Sequence, residues 1–307
     1  MMPKDQAPSR EQARAWLKEN NNWGRWGPDD QVGALNLITP QKRIDAAKKV
    51  RTGRAISLAR DLETAPGAQN PQPVQHFVRW FERAPGEGGG AGDYVAFHVH
   101  GYQNTHIDAL CHGWGDRGMW NGRSHEVEVT PRGSKFGGIE HWRDGLTTRG
   151  VLLDVVRHRK TKHVAFNEPV HAKELEEIAE EQNIKIEPGD AIVIHCGRDA
   201  LEESNPDWNP ISDPHPGLSI TSLRFFKEND IAALFWDLMD VQPFEIGWPY
   251  VPHAALHELG VALIDNCSLC ELSEACWEIG HYDFMLTVAP LRLVGGTGFP
   301  VNPIALL

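Results

Sequence analysis

Long apolar runs are missing from this sequence. No window approaches the ~18–20 apolar residues that cross a bilayer, so no membrane-spanning helix is expected. Basic charge is short as well: 30 Lys and Arg stand against 42 Asp and Glu, a formal net charge of −12. With no basic stripe to offset it, that balance argues against nucleic acid or an anionic membrane surface as partner. Cysteine is sparse and odd in number, five residues at 111, 196, 267, 270 and 276. Such a set points to reduced thiols rather than a disulfide framework. The polar start, Met-Met-Pro-Lys-Asp-Gln, has no signal-peptide core, so a cytoplasmic protein is expected.

Several catalytic signatures are absent too. Cys267-Ser-Leu-Cys270 is half of a zinc or redox motif with no second pair, and Glu271 and Glu274 beside it indicate an ordinary helix. Gly295-Gly-Thr-Gly-Phe-Pro has no following lysine. That excludes a phosphate loop and leaves a rigid loop lining a cavity. Ser219 and Ser222 lack the context of a hydrolase nucleophile elbow. His253-Ala-Ala-Leu-His257 presents two imidazoles on one helix face but lacks the zincin glutamate.

What remains is an ordinary globular composition, 41% hydrophobic and 23% charged. Strand-like runs at 55–58, 150–156, 191–195, 231–235, 261–264 and 284–293 alternate with helical stretches at 10–19, 40–50, 168–182, 253–259 and 272–277. A helix capped by Ser219 is expected to reach about 228, and a Gly-rich turn over 84–92 joins two further strands. This mixture predicts an α/β fold in one domain spanning 1–307. A Trp- and Pro-rich N-terminal arm, about 1–36, is expected to wrap a neighbouring subunit.

Residues 98–112 carry the densest chemistry, His98, His100, His106, Asp108 and His112 within fifteen positions. If 94–108 is extended, positions 98, 100, 106 and 108 point to one face. Single histidines are mostly core or surface residues, but four with an aspartate among Val, Ile and Leu demand partners. Imidazole nitrogens and a carboxylate on one face can hold a divalent cation, and an unligated His112 one turn beyond can act as a base. Cys111, next to it, is a weak candidate nucleophile. Asp265, ending the strand after His253, can reach the same region. His195, Asp237 and Asp240 end neighbouring strands and are candidate groups for orienting ligands or substrate. Trp114, Trp120 and Phe299 could wall an apolar cavity, although ordinary core is the commoner role for such residues. Loops at about 64–92, 114–125 and 240–252 are expected to shape it.

The blocks Asn22-Trp-Gly-Arg-Trp-Gly27, Thr105-His-Ile-Asp-Ala-Leu-Cys-His112, Pro188-Gly-Asp190, Pro216-Gly-Leu-Ser219, the 253–266 region and Gly296-Thr-Gly-Phe-Pro-Val-Asn-Pro303 together resemble the putative cyclase family of metal-dependent hydrolases. Bacterial kynurenine formamidase and isatin hydrolase belong to that family, and this chain most resembles its longer members. The resemblance implies a swivelling β/β/α domain with a mixed, barrel-like sheet and flanking helices, assembled as a homodimer or homotetramer. It also implies a Mn or Zn cofactor and hydrolysis of an amide bond in a small cyclic or aromatic substrate. Carried over by position, His106 and Asp108 are metal ligands and His112 is the general acid/base. His253 takes a ligand histidine's place, and Asp265 stands where the family has glutamate.

One departure is larger. Four positions before His106 the family carries another histidine, and here that residue is Tyr102. His100 or His98 then supplies the nitrogen from a shifted register, or the metal keeps fewer protein ligands. The implied reaction is attack of metal-activated water on an amide or lactam carbon, with His112 moving the proton. The rivals are a metal-free binding or scaffold protein on the same fold and a metal-dependent cyclase or lyase.

Overall fold

The structure, a computed structural model, describes residues 2–243, 245, 247 and 252–307. Its strands are β1 (Ala55–Ser57), β2 (Gln75–Glu82), β3 (Gly89–Ala96), β4 (His106–Asp108), β5 (Val129–Thr130), β6 (Gly133–Ser134), β7 (Leu146–Asp154), β8 (Ala191–His195), β9 (Ala233–Trp236), β10 (Ala262–Asp265), β11 (Asp283–Val288), β12 (Gly298–Pro300) and β13 (Ile304–Leu306). Nine of them make one mixed sheet in the order β1-β13-β11-β7-β8-β9-β10-β4-β12. The sheet curls into a half-barrel with helices on its flanks. No helix among the described residues is long and apolar enough to cross a membrane.

The parallel heart of this sheet follows from composition. β7, β8, β9 and β10 run parallel to one another. Their centres, Val151-Leu-Leu, Ile192-Val-Ile, Leu234-Phe and Leu263-Ile, are completely buried. A strand covered on both faces needs such a continuous apolar run rather than alternation. Polar residues begin where the strands end, at Asp154, His195, Asp237 and Asp265. Crevices beyond the C-terminal ends of parallel strands are where open α/β sheets bind ligands. Two antiparallel neighbours, β4 on β10 and β12 on β4, then lay the histidine-rich segment along that edge.

Several boundaries differ from the sequence expectations. The stretch 94–108 is not one extended strand: β3 stops at Ala96 and β4 begins at His106. Between them the Asn104 side-chain amide donates to the carbonyls of His98 and Val99, at 3.3 and 2.8 Å, and folds the chain back. The run after Gly150 ends at Asp154, because that carboxylate accepts the Arg157 N–H at 3.1 Å and starts the helix Val155–Arg159. Ser219 does not cap the next helix, Ser222–Glu228, whose N-cap is Thr221; its hydroxyl donates to Glu245 at 3.0 Å. The strand expected over 284–293 stops at Val288, short of Pro290. The turn over 84–92 is narrower than expected, since pairing runs out to Glu82 opposite Gly89. Both strands of this hairpin are exposed along nearly their whole length.

The N-terminal arm lies along its own chain. A capping box on Ser9 starts the helix Arg10–Asn20. Beyond it Trp23 Nε1 donates to the His257 carbonyl at 2.7 Å, and the Ala34 N–H donates to the Gly260 carbonyl at 2.7 Å. Both acceptors belong to the segment that carries His253. It forms a π-helical turn, Ala255–Leu259, where an ordinary helix is expected from sequence. The arm therefore clamps one of the candidate ligand positions.

Candidate metal centre

Register brings the site together. In the antiparallel pairing of β4 with β10, His106 sits opposite Asp265 and Asp108 opposite Leu263. His106, Asp108 and Asp265 are all buried, and one ligand atom from each lies within 4.8 Å of the others. A second set, His100, Asp108 and His112, meets the same distance. Asp108 is common to both.

The surrounding contacts aim these groups inward. His106 Nδ1 donates to the Asn104 carbonyl at 2.9 Å, which leaves Nε2 facing Asp108 Oδ1 at 3.5 Å. His100 Nδ1 lies 2.7 Å from Asp108 Oδ1, and its Nε2 lies 2.9 Å from Thr297 Oγ1. The rings of His100 and His112 stack at 3.6 Å, and His112 Nε2 approaches Asp108 Oδ2 to 3.9 Å. His253 Nδ1 is 2.8 Å from Asp240 Oδ2, so its Nε2 points back toward Asp108 Oδ2 at 3.8 Å. Trp236 Nε1 donates to Asp265 Oδ1 at 2.6 Å.

Charge is divided unevenly over the cluster. Burial raises the Asp108 carboxyl, but the imidazoles of His112, His100 and His106 more than reverse it and hold its pKa far below the carboxylate range. Burial, and then the charge of Asp108, pushes Asp265 well above that range. Burial also lowers His106 and His112, so both rings are neutral and offer lone pairs. His253 resists its burial because Asp240, Asp108 and Asp265 lift it to about 9.

One oxygen is under-used within this arrangement. Asp108 Oδ2 is buried and accepts no hydrogen bond among the described residues; His253 Nε2 and His112 Nε2 face it only from 3.8 and 3.9 Å. An ionised carboxylate oxygen in that position is costly unless something cationic meets it. Two carboxylates with neutral imidazoles are the donors that Mn and Zn accept. The residues present therefore fit a divalent cation.

The cluster opens on a cavity of about 260 Å³, just below the range of about 300–1,000 Å³ usual for small-molecule sites. His100, Gly101, Tyr102, His106, Asp108, His112, His215, Met239, Asp240, Gln242, His253 and Asp265 line it.

A model of the putative cyclase family matches residues 55–243. A crystal structure described as a novel cyclase superposes with a TM-score of 0.80 at 30% identity, covering 95% of this chain and 99% of that one. The chain belongs to the putative cyclase family. Two further cyclase-fold structures are more distant. An isatin hydrolase bound to the product analogue thioisatinate has a TM-score of 0.57 at 14% identity, covering 88% of this chain and 99% of its own. A potential metal-dependent hydrolase with cyclase activity has a TM-score of 0.51 at 16% identity, covering 82% and 96%. No curated protein matches significantly.

Around this cyclase-family centre the sequence-derived candidates divide. His106, Asp108, His112, His100, His253 and Asp265 converge on the cavity, and Tyr102 lines it. Asp240 joins them on the cavity wall, and the remaining candidates lie elsewhere. Trp114 stacks on His125 with centroids 4.4 Å apart, and Phe299 packs edge-on against Phe97 at 5.6 Å. Trp120 is fully buried beside Trp26. Asp237 accepts the backbone N–H groups of Cys196, Gly197 and Arg198 at 2.8, 2.7 and 3.0 Å. His195 bonds Asp154 rather than entering the cavity. His257 is buried apart from the ligands, with no hydrogen-bond partner for either ring nitrogen among the described residues. The 240–252 loop lies partly outside the described residues.

Sequence reasoning missed His215, Met239, Gln242 and Thr297. His215 is the most informative of these, since its Nδ1 meets the Asp240 carbonyl at 3.1 Å behind the cavity wall. Its place directly before the Pro216-Gly-Leu-Ser219 block was the available signal.

Proposed function

We propose that this chain is a divalent-metal-dependent hydrolase that cleaves the C–N bond of an amide or lactam in a small cyclic or aromatic substrate. The observation that carries the reading is the buried carboxylate of Asp108, shared by two ligand sets, whose Oδ2 accepts no hydrogen bond among the described residues. His106, Asp108 and Asp265 would hold the ion, with His100 and His253 beside them. When bound, Mn or Zn supplies a Lewis acid for the scissile carbonyl. The two distant neighbours, an isatin hydrolase and a potential metal-dependent hydrolase, support this choice.

His112 does the proton work. Burial keeps its ring neutral, and stacking on His100 fixes its plane. Nε2 can accept a proton from the attacking water and return it to the leaving nitrogen. Asp240 holds His253 by Nδ1 and so determines which ring nitrogen faces the cavity.

The test is elemental analysis of protein purified without chelator, followed by a hydrolysis screen of N-formyl aromatic amines and isatin-type lactams. About one equivalent of Mn or Zn is expected, and His106→Ala should lose it. His112→Ala should retain metal and lose turnover. Equal metal content in wild type and His106→Ala would reject the ligand assignment.

A further inference from the structure

A second cluster of reactive side chains lies outside the cavity. Asp154 ends β7, His195 ends β8 directly opposite it, and Cys270 opens the helix Cys270–Ile279. His195 Nδ1 lies 3.1 Å from Asp154 Oδ1, while Ser273 Oγ donates to Asp154 Oδ2. The carboxylate thus fixes the ring with Nδ1–H as donor and turns Nε2 toward Cys270 Sγ, 3.9 Å away. Of the five cysteines, Cys270 is exposed and the other four are buried.

We propose that Cys270 is a peroxide-reactive thiol, in which the Cys270–His195–Asp154 array makes the sulfur a nucleophile toward hydroperoxides. Three features act together on that sulfur. The N-terminus of a ten-residue helix puts partial positive charge beside it. His195 presents an N–H: burial disfavours its charge, but the bonds to Asp154 and Cys270 and the charge of Asp237 lift it to about 10. The thiol also donates to Asp199 Oδ2 at 3.3 Å, and Arg60 offsets that carboxylate's charge from 2.9 Å.

The chemistry is self-contained. The thiol proton passes to Asp199, and the sulfur attacks one peroxide oxygen. The O–O bond breaks, its electron pair leaves with the second oxygen, and that oxygen takes the proton to depart as water or an alcohol. Sulfur is oxidised by two electrons to a sulfenic acid, and the peroxide is reduced by the same two.

The experiment treats the full chain with hydrogen peroxide at pH 7, traps sulfenic acid with dimedone and locates the adduct by peptide mass spectrometry. The adduct is expected at Cys270 and is lost in Cys270→Ser. The second-order rate should exceed that of free glutathione by about tenfold, because the helix N-terminus and the His195 N–H both face the sulfur as it attacks. His195→Gln, which keeps a hydrogen-bonding group but no charge, should bring the rate back toward glutathione. An adduct on another cysteine overturns the proposal, as does a wild-type rate at or below glutathione's. So does an unchanged rate in folded His195→Gln. The wild-type rate decides the matter alone if that variant does not fold.

Discussion

Asp265 faces His106 across one antiparallel pair, although 158 residues lie between them in the chain. Strand register, not proximity in sequence, makes these two side chains neighbours, and with Asp108 they form a buried acidic pair beside an imidazole. Shifting β4 by one residue would turn His106 to the opposite face and dismantle the set. Pairing with β12 on the other side, Pro300 opposite His106, pins that register.

Asp265→Asn separates ligation from stability. Without an ion, burial and the charge of Asp108 raise the Asp265 carboxyl well above the carboxylate range, so its charged form is disfavoured and an uncharged amide of the same shape fits at little cost. The thermal midpoint in chelator is therefore expected to stay close to wild type. Affinity for Mn or Zn should fall on the order of tenfold or more, since an anionic donor is removed. Thermal melts with and without added metal check this. An equal metal-induced gain in both proteins would remove Asp265 from the ligand set.

Tyr102 is where this chain departs from the family resemblance, and the structure puts it on the cavity wall. Replacing the phenol with an imidazole adds a neutral nitrogen donor at that wall. Tyr102→His is expected to tighten metal binding about tenfold, because imidazole is a far better ligand for Mn or Zn than a phenol. Tyr102→Phe should leave affinity unchanged. Calorimetric titration of the three proteins distinguishes them, and loss of metal in Tyr102→Phe would make the phenol itself a ligand.

How much of this centre could be read from sequence depended on distance along the chain. His106, Asp108 and His112 stand in one short motif, and His253 opens the helical segment before the strand that Asp265 ends, so their convergence is legible in the sequence. The route of His100 is not. An unbroken strand over 94–108 put it on the right face for the wrong reason. In fact the segment folds back through Asn104, and His100 reaches Asp108 from a loop. The parallel strands were legible because burial on both faces demands continuous apolar runs. Cys270, His195 and Asp154 were unreadable as a group, since no spacing rule links two strand ends to a distant helix start.

His257 makes stability depend on pH. Burial drives its pKa down to about 3, against about 6.5 for an exposed histidine. Below about pH 6.5 the unfolded chain binds a proton that the folded chain refuses, so stability falls as pH drops through that window toward 3. His257→Phe removes this proton difference without stranding a partner, because neither ring nitrogen is hydrogen-bonded among the described residues. Between pH 7 and pH 5 the variant should lose ~2 kcal/mol less than wild type. Urea unfolding at the two pH values measures it. Parallel losses would mean that His257 already accepts a proton in the folded state.

Gly33 marks the closest approach of the arm to the turn that carries His253. Its φ is +65°, and a Cβ there would stand 2.5 Å from the Gly260 carbonyl oxygen. That oxygen cannot swing aside, since it accepts the Ala34 N–H at 2.7 Å. Nor is there slack behind Gly260, where an added Cβ would itself stand 2.9 Å from the Trp120 ring. Gly33→Ala is expected to cost about 2–3 kcal/mol, left-handed strain plus a forced backbone shift. Gly24→Ala is the matched control: its φ is +73°, yet nothing lies within 4 Å of the added carbon. It should cost only about 1 kcal/mol. Because the displaced turn bears His253, Gly33→Ala should also weaken metal binding, whereas Gly24→Ala should not. Denaturant unfolding and metal titration of both variants test the pair, and equal effects would show that the arm does not hold the turn in place.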